Sequence, residues 1–348
     1  MLLRNGVITE SALTDTRGPR RKRGIRLNPQ LGYCIGVEYG PSMIEGVIVN
    51  TAYETLATKT KKIRLANLPQ NDKISNITAF IEELKNDVPR SVGKCLGLAV
   101  IDPGAIDREA GVTLMSTTME HWHNVPIVKI LESNLDLPIM LLNSSISKIR
   151  AVDRLELRGA PRNLIYIEYS EGIGCGLKLE GNYISGQTYL AGELGHIRVT
   201  DKPVPCVCGG IGCLEAIAAL PALAAKAKAG LSENSSSLMA DIEEIDGLAV
   251  INSAAKGDRL AAHIVDEAFD YLGRAVAGLV NILNPEIVIF DSTISAAGTE
   301  AIEALMRSVN KNVMSWHLKS LDVRISKLTS HLGPLGGAVA VMDHCLEH

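Results

Sequence analysis

The sequence predicts an α/β protein built from two similar domains facing a cleft. The chain has 348 residues, which as a prior corresponds to about two domains. A strand meander followed by alternating helices and strands occurs once in each half. Composition agrees, with apolar residues at 46% and charged residues at 21%, the balance of a soluble globular protein. Disorder, collagen and coiled coil are excluded as descriptions of the whole chain. A net charge of −4 excludes a polycation built for nucleic acid. The N-terminus reads Met-Leu-Leu-Arg-Asn-Gly without a signal-type apolar stretch. No run approaches the ~18 apolar residues of a membrane span. A cytoplasmic protein without a membrane partner is the expectation.

The elements follow in order. Residues 1–32 are a basic N-terminal segment, in which Arg17, Arg20, Arg21, Lys22, Arg23 and Arg26 meet no acidic residue. They read either as a phosphate-contacting arm or as a solvated linker. Tyr33–Tyr39 and Met43–Asn50 are β-branched apolar runs around Gly40-Pro41, hence two strands and a tight turn. Ser75–Lys85 has helical apolar spacing, Cys95–Ile101 is a buried strand, Pro126–Leu135 a helix and Pro138–Leu142 a strand. These make a first domain over 33–141. A second over 142–332 starts with strands Leu164–Tyr169, Gly174–Leu179 and Tyr183–Ser185. Asp258–Leu283 is its long helix, with Leu260, Ile264, Ala268, Leu272, Val276 and Val280 in one stripe, stopped by Asn284-Pro285. Glu286–Phe290 and Leu321–Ser326 read as strands around the helix Ala297–Val309, and the closing helix within 333–348 is assigned back to the first domain.

Seven Cys in a chain without an export signal argue against a disulfide framework. Cys206, Cys208 and Cys213 fall within eight residues, after His196, with Gly209, Gly210 and Gly212 between the last two thiols. One imidazole and three thiolates suit a closed, structural zinc site. The alternative is three reduced thiols that merely share a loop.

Ala191-Gly192-Glu193-Leu194-Gly195-His196, followed by Cys206 to Glu215, resembles the signature of the ROK family (repressors, open reading frames and kinases). The resemblance runs from about Asn28 to the C-terminus and includes Pro103-Gly104, Trp122, Gly172–Gly176, Asn284-Pro285 and Leu335-Gly336-Gly337-Ala338. It implies two actin-like, ribonuclease-H-like domains with a sugar in the cleft. By the same resemblance, Glu193, His196 and Glu215 are sugar contacts, joined by Gly104, Thr117 and Asn143. Carboxylates suit a polyol because they accept paired hydroxyl hydrogen bonds. A second reading makes Glu193 and Glu215 supports of the metal ligands.

The kinase machinery implied by the family is eroded. Ser144 stands where the kinases carry the base Asp, and such a base contributes roughly 10²–10⁴-fold. Catalytic residues are therefore expected to be absent. The phosphate turn has become Glu38-Tyr39-Gly40-Pro41-Ser42, and the adenosine-side Gly-Gly has become Phe290-Asp291, a ring and a charge expected to obstruct nucleotide. Gly172, Gly174 and Gly176 remain as a nucleotide-loop candidate, a weak signal alone. ATP and Mg²⁺ are thus not expected.

Leu3–Glu10 resembles a repressor's wing and the basic run its linker, without the recognition helix that reads bases. Either the sequence starts late or a former repressor has lost DNA binding, and weak, non-specific DNA contact is the expectation for this chain. The resemblance points to the xylose- and N-acetylglucosamine-type repressor branch and to a homodimeric, zinc-containing sugar sensor. An ATP-dependent hexose or amino-sugar kinase is the alternative, and a remnant with an occluded cleft is a third reading.

Overall fold

A computed structural model describes residues 8–12, 23–116, 118–231 and 236–347. The chain divides into two compact units, Met1–Leu155 with His331–His348, and Glu156–Ser330. The strands β1 (Ile8–Ala12) and β2 (Arg23–Leu27) form an antiparallel hairpin. Arg17, Arg20, Arg21 and Lys22 lie outside the described residues. Arg26 pairs with Glu54 at 2.8 Å.

The first unit is built on a five-stranded sheet of β3 (Gly32–Tyr39), β4 (Met43–Asn50), β5 (Thr55–Lys62), β6 (Lys94–Asp102) and β10 (Ile139–Asn143). Helix α1 (Gln70–Lys85) joins β5 to β6, and between β6 and β10 come a three-stranded sheet of β7 (Ala105–Asp107), β8 (Val112–Met115) and β9 (His123–Val125), and α2 (Ile127–Leu135). The large-sheet order is β10-β6-β3-β4-β5, with β3 antiparallel to β4 and parallel to β6. The edge strand β5 reads Thr-Leu-Ala-Thr-Lys-Thr-Lys-Lys, lysine-rich as exposed edges tend to be. For that reason it carries no strong hydrophobic signal. α1 begins before the expected Ser75 because its first turn is polar and its apolar rhythm starts only at Ile74.

The C-terminal helix (Leu332–Glu347) covers one face of this sheet, packing Ala338, Val341 and Met342 with Cys34, Val47, Ala99 and Ile101. Contact is backbone to backbone: a Cβ on Gly36 would lie 1.8 Å from the Pro334 carbonyl oxygen, and one on Gly336 would lie 1.6 Å from that of Ser147. Ser147 belongs to α3 (Ser144–Ala151). This packing carries α3 into the first unit, so the division falls after Leu155 rather than after residue 141.

The second unit repeats the plan with β11 (Leu164–Tyr169), β12 (Ile173–Leu179), β13 (Asn182–Tyr183), β14 (Ile287–Phe290) and β15 (Asp322–Ile325) in the order β13-β12-β11-β14-β15. Helices α4 (Leu214–Ala218), α5 (Leu220–Leu231), α6 (Gly247–Ala255), α7 (Arg259–Leu283) and α8 (Gly298–Asn312) complete it. α7 starts where the Asp258 carboxylate accepts from the Ala261 amide, and stops at Asn284 in the left-handed conformation. Its stripe from Ile264 to Val280 is buried. Helices α4 to α6 are rich in small residues and carry no clear apolar spacing.

Gly36→Ala is expected to cost about 1–3 kcal/mol, the usual range for overpacking. Urea unfolding followed by far-ultraviolet circular dichroism measures it.

Candidate functional site

In the second unit, a short turn at Leu194–His196 and the loop to α4 bring four donors together. The donor atoms of His196, Cys206, Cys208 and Cys213 all lie within 4.8 Å of one another. Cys206 Sγ is 3.7 Å from His196 Nδ1, and Cys208 Sγ is 3.7 Å from Cys213 Sγ. On a tetrahedron with metal–sulfur bonds of about 2.3 Å, neighbouring ligands stand about 3.7 Å apart. The residues therefore fit a four-coordinate ion of the size and softness that thiolate–imidazole sites hold. The loop is closed by Cys206 donating to the Gly210 carbonyl at 2.9 Å and Gly212 to that of Val204 at 2.8 Å. Gly209 and Gly212 adopt φ of 88° and 67°, conformations that side chains other than glycine rarely take.

The other imidazole nitrogen, Nε2, faces Glu193 Oε2 at 3.6 Å. With Nδ1 toward the thiols, the ring presents its remaining edge to a carboxylate, as metal-bound histidines generally do. Burial, and then the nearby carboxylates of Glu215 and Glu168, push the Glu193 carboxyl above its usual range, opposed by His196. Glu215 accepts from the Ile173 amide at 3.1 Å. A Cβ on Gly172 would lie 2.7 Å from Glu215 Oε2. Of the nucleotide-loop candidates, Gly174 and Gly176 are ladder residues of β12 opposite Glu168 and Tyr166. Only Gly172 lies in a turn, and Glu215 closes over it.

In the first unit, Asn143 caps α3 by accepting from the Ile146 amide at 2.9 Å. Ser144 donates to Glu38 Oε1 at 2.9 Å. The turn after β3 spends its Gly40 amide on the Met43 carbonyl at 2.9 Å, while Pro41 has none to give. Tyr39 turns into the core, where its hydroxyl donates to Asp102. Asp102 is fully buried and accepts also from Thr113 at 2.7 Å, Trp122 Nε1 at 3.2 Å and the Gly104 amide at 2.6 Å. Burial still leaves its carboxyl above the ordinary value. Gly104 is thus held by Asp102 and backs onto Met115, whose carbonyl oxygen a Cβ would approach to 2.2 Å. Met115 also lines a cavity of about 510 Å³ with Asn67, Ser116, Glu120, His121 and His123, a feature no motif announced. Thr117 lies outside the described residues.

One expectation is corrected. Phe290 does not stand in a nucleotide's way: it is wholly buried in the second unit's core, because β14 is a central strand with both faces covered. Asp291 alone reaches the strand end, accepting from Tyr166 Oη at 2.5 Å and from Thr293.

The ROK family model matches residues 34–344. The chain belongs to the ROK family. Its fold is the family's actin-like, two-domain α/β fold. This ROK protein is 27% identical over 348 residues to a putative xylose repressor of Caldicellulosiruptor sp. strain Rt8B.4, covering 99% of the chain and 87% of the relative. It is 29% identical over 313 residues to a glucokinase of Thermotoga maritima, covering 89% and 97%. Among solved structures it superposes on a ROK family transcriptional regulator, a homologue of the Escherichia coli MLC protein, with a TM-score of 0.82 at 23% identity, over 98% of this chain and 86% of the other. A ROK glucokinase from Streptomyces griseus, in complex with glucose and AMPPNP, gives 0.76 at 22%, over 88% and 98%. Among the described residues of this ROK protein, no helix is long and apolar enough to cross a membrane.

Asp102→Ala should destabilise the first unit by about 3 kcal/mol or more, because buried donors lose their acceptor. Thermal unfolding, with near-ultraviolet dichroism of Trp122, reads the loss.

Proposed function

We propose that this ROK protein is a sugar-responsive transcriptional regulator without kinase activity, homodimeric and carrying one structural zinc. His196, Cys206, Cys208 and Cys213 hold the ion, which supplies no reaction chemistry and instead closes the loop that carries Glu193. Glu193, His196 and Glu215 of the second unit, and Gly104, Thr117 and Asn143 of the first, are the sugar contacts. The hairpin β1–β2 and the basic residues between its strands serve as a phosphate-contacting wing, whose contacts position the protein on DNA.

One observation carries the absence of kinase activity: the hydroxyl at the base position is neutral and is already bound to Glu38. The family resemblance supports the regulator side, since the match to the putative xylose repressor spans 99% of the chain and that to the Thermotoga maritima glucokinase 89%. The 29% identity to that glucokinase favours a second reading, an ATP-dependent sugar kinase. Incubation with ATP, Mg²⁺ and a panel of hexoses decides between them. No phosphoryl transfer is expected, and turnover above about 1 s⁻¹, inside the ordinary enzyme range, overturns the regulator reading. Ser144→Asp should not restore transfer, because it sets a second carboxylate beside Glu38.

Elemental analysis should find one zinc per chain. Cys208→Ser should lower that stoichiometry, increase proteolytic cleavage within 190–215, and weaken sugar binding measured by calorimetry.

A further inference from the structure

The cavity of about 510 Å³ in the first unit has no part in the functional reading above. Six polar side chains line it, those of Asn67, Ser116, Thr118, Glu120, His121 and His123. Met115 adds an apolar side, and at 56% exposed it is a large hydrophobic group left uncovered. Among the described lining residues none is Lys or Arg. The walls are held from behind. Lys73, wholly buried in α1, donates from Nζ to the Glu120 carbonyl at 2.7 Å and to that of Leu68. The Glu120 amide donates to the Ala66 carbonyl at 2.9 Å, and the Ser116 amide to that of Trp122 at 3.1 Å. The turn that carries Asn67 is thereby tied to the segment that carries Glu120, His121 and His123. Walls fixed before a ligand arrives spare it the cost of ordering them. The same unit holds Gly104 beside this cavity. Asp102 accepts from the Gly104 amide at 2.6 Å and from Trp122 Nε1 at 3.2 Å, and Gly104 backs onto the Met115 carbonyl.

We propose that this cavity holds a second sugar ring, so that the effector is a disaccharide rather than a free monosaccharide. The inference rests on the sugar-sensor reading and names its ligand class. The lining selects a carbohydrate. Amide, hydroxyl, imidazole and carboxylate groups together donate and accept hydrogen bonds, as neighbouring sugar hydroxyls require. An anion such as a sugar phosphate would find no Lys or Arg in this lining and would meet the Glu120 carboxylate. The Met115 side suits the C–H face of a pyranose, since a thioether chain adapts to irregular apolar surfaces. Size selects a whole ring. Sites for complete small molecules occupy about 300–1,000 Å³, and a lone hydroxymethyl or acetyl group would leave most of this cavity to water. Position links the two rings. Gly104, a sugar contact in the functional reading, shares the Met115 backbone with the cavity wall, so one ligand can reach both.

Isothermal calorimetry on the full chain tests this with glucose, xylose, their methyl glycosides, cellobiose, maltose and xylobiose. At least one disaccharide should bind about tenfold or more tighter than its monosaccharide, the gain that one or two net hydrogen bonds supply. The methyl glycosides should show no such gain. Asn67→Ala and Met115→Ala should each cut the gain by about threefold or more, while monosaccharide affinity stays within about twofold of wild type. Both side chains are exposed, so thermal transitions of the variants should match wild type. A monosaccharide that binds as tightly as every disaccharide would overturn the second-ring inference and leave the sensor reading standing. A disaccharide gain that both variants keep would place the second ring elsewhere and overturn it too. Heat from no sugar of either size would overturn the sensor reading itself, and this inference with it.

Discussion

A carboxylate buried without a cation must take its whole compensation from neutral donors, and the first unit is arranged around one. Asp102 collects a phenol, an indole, a hydroxyl and a backbone amide. Those four donors come from the end of β3, the approach to β9, the middle of β8 and the Gly104 turn. The carboxylate ties these separate segments together. The second unit does the same thing at the matching place in its sheet, where Asp291 follows β14 and takes the hydroxyl of Tyr166 from β11. In both units an Asp at or just past the end of a parallel strand holds a Tyr of the neighbouring central strand.

Other polar groups near strand ends are likewise engaged within the chain. A phosphate needs uncommitted amides and hydroxyls. Here Gly40 is bonded to Met43, Ser144 to Glu38 and Thr293 to Asp291, while Glu215 closes over Gly172. For Ser144 and Thr293 the acceptor is one of the chain's own carboxylates.

Much of this was legible in the sequence. Tyr33–Tyr39, Met43–Asn50 and Asp258–Leu283 declare themselves because burial on one or both faces writes a period into the residues. The thiols and His196 declare themselves through spacing and residue type. β5 does not, since an exposed edge is selected for charge, and neither do α4 to α6, whose alanines fit either state. The placement of Phe290 is not legible for a different reason: sequence does not say which way a strand's last side chain faces, and the covered position of β14 buries it in the core. The cavity beside Met115 was hidden because its lining comes from residues with no common motif.

The return of the last helix to the first unit has a consequence for how the molecule comes into being. The second unit is one continuous stretch and can close its core once residue 330 has left the ribosome. The first has every strand of its sheet by residue 143, yet one face, with Cys34, Val47, Ala99 and Ile101, stays uncovered until residues 332–347 arrive. For more than half of synthesis that face is bare hydrophobic surface, at risk of association with other nascent chains. The order of synthesis is thus the reverse of the order of completion: the unit made second is finished first.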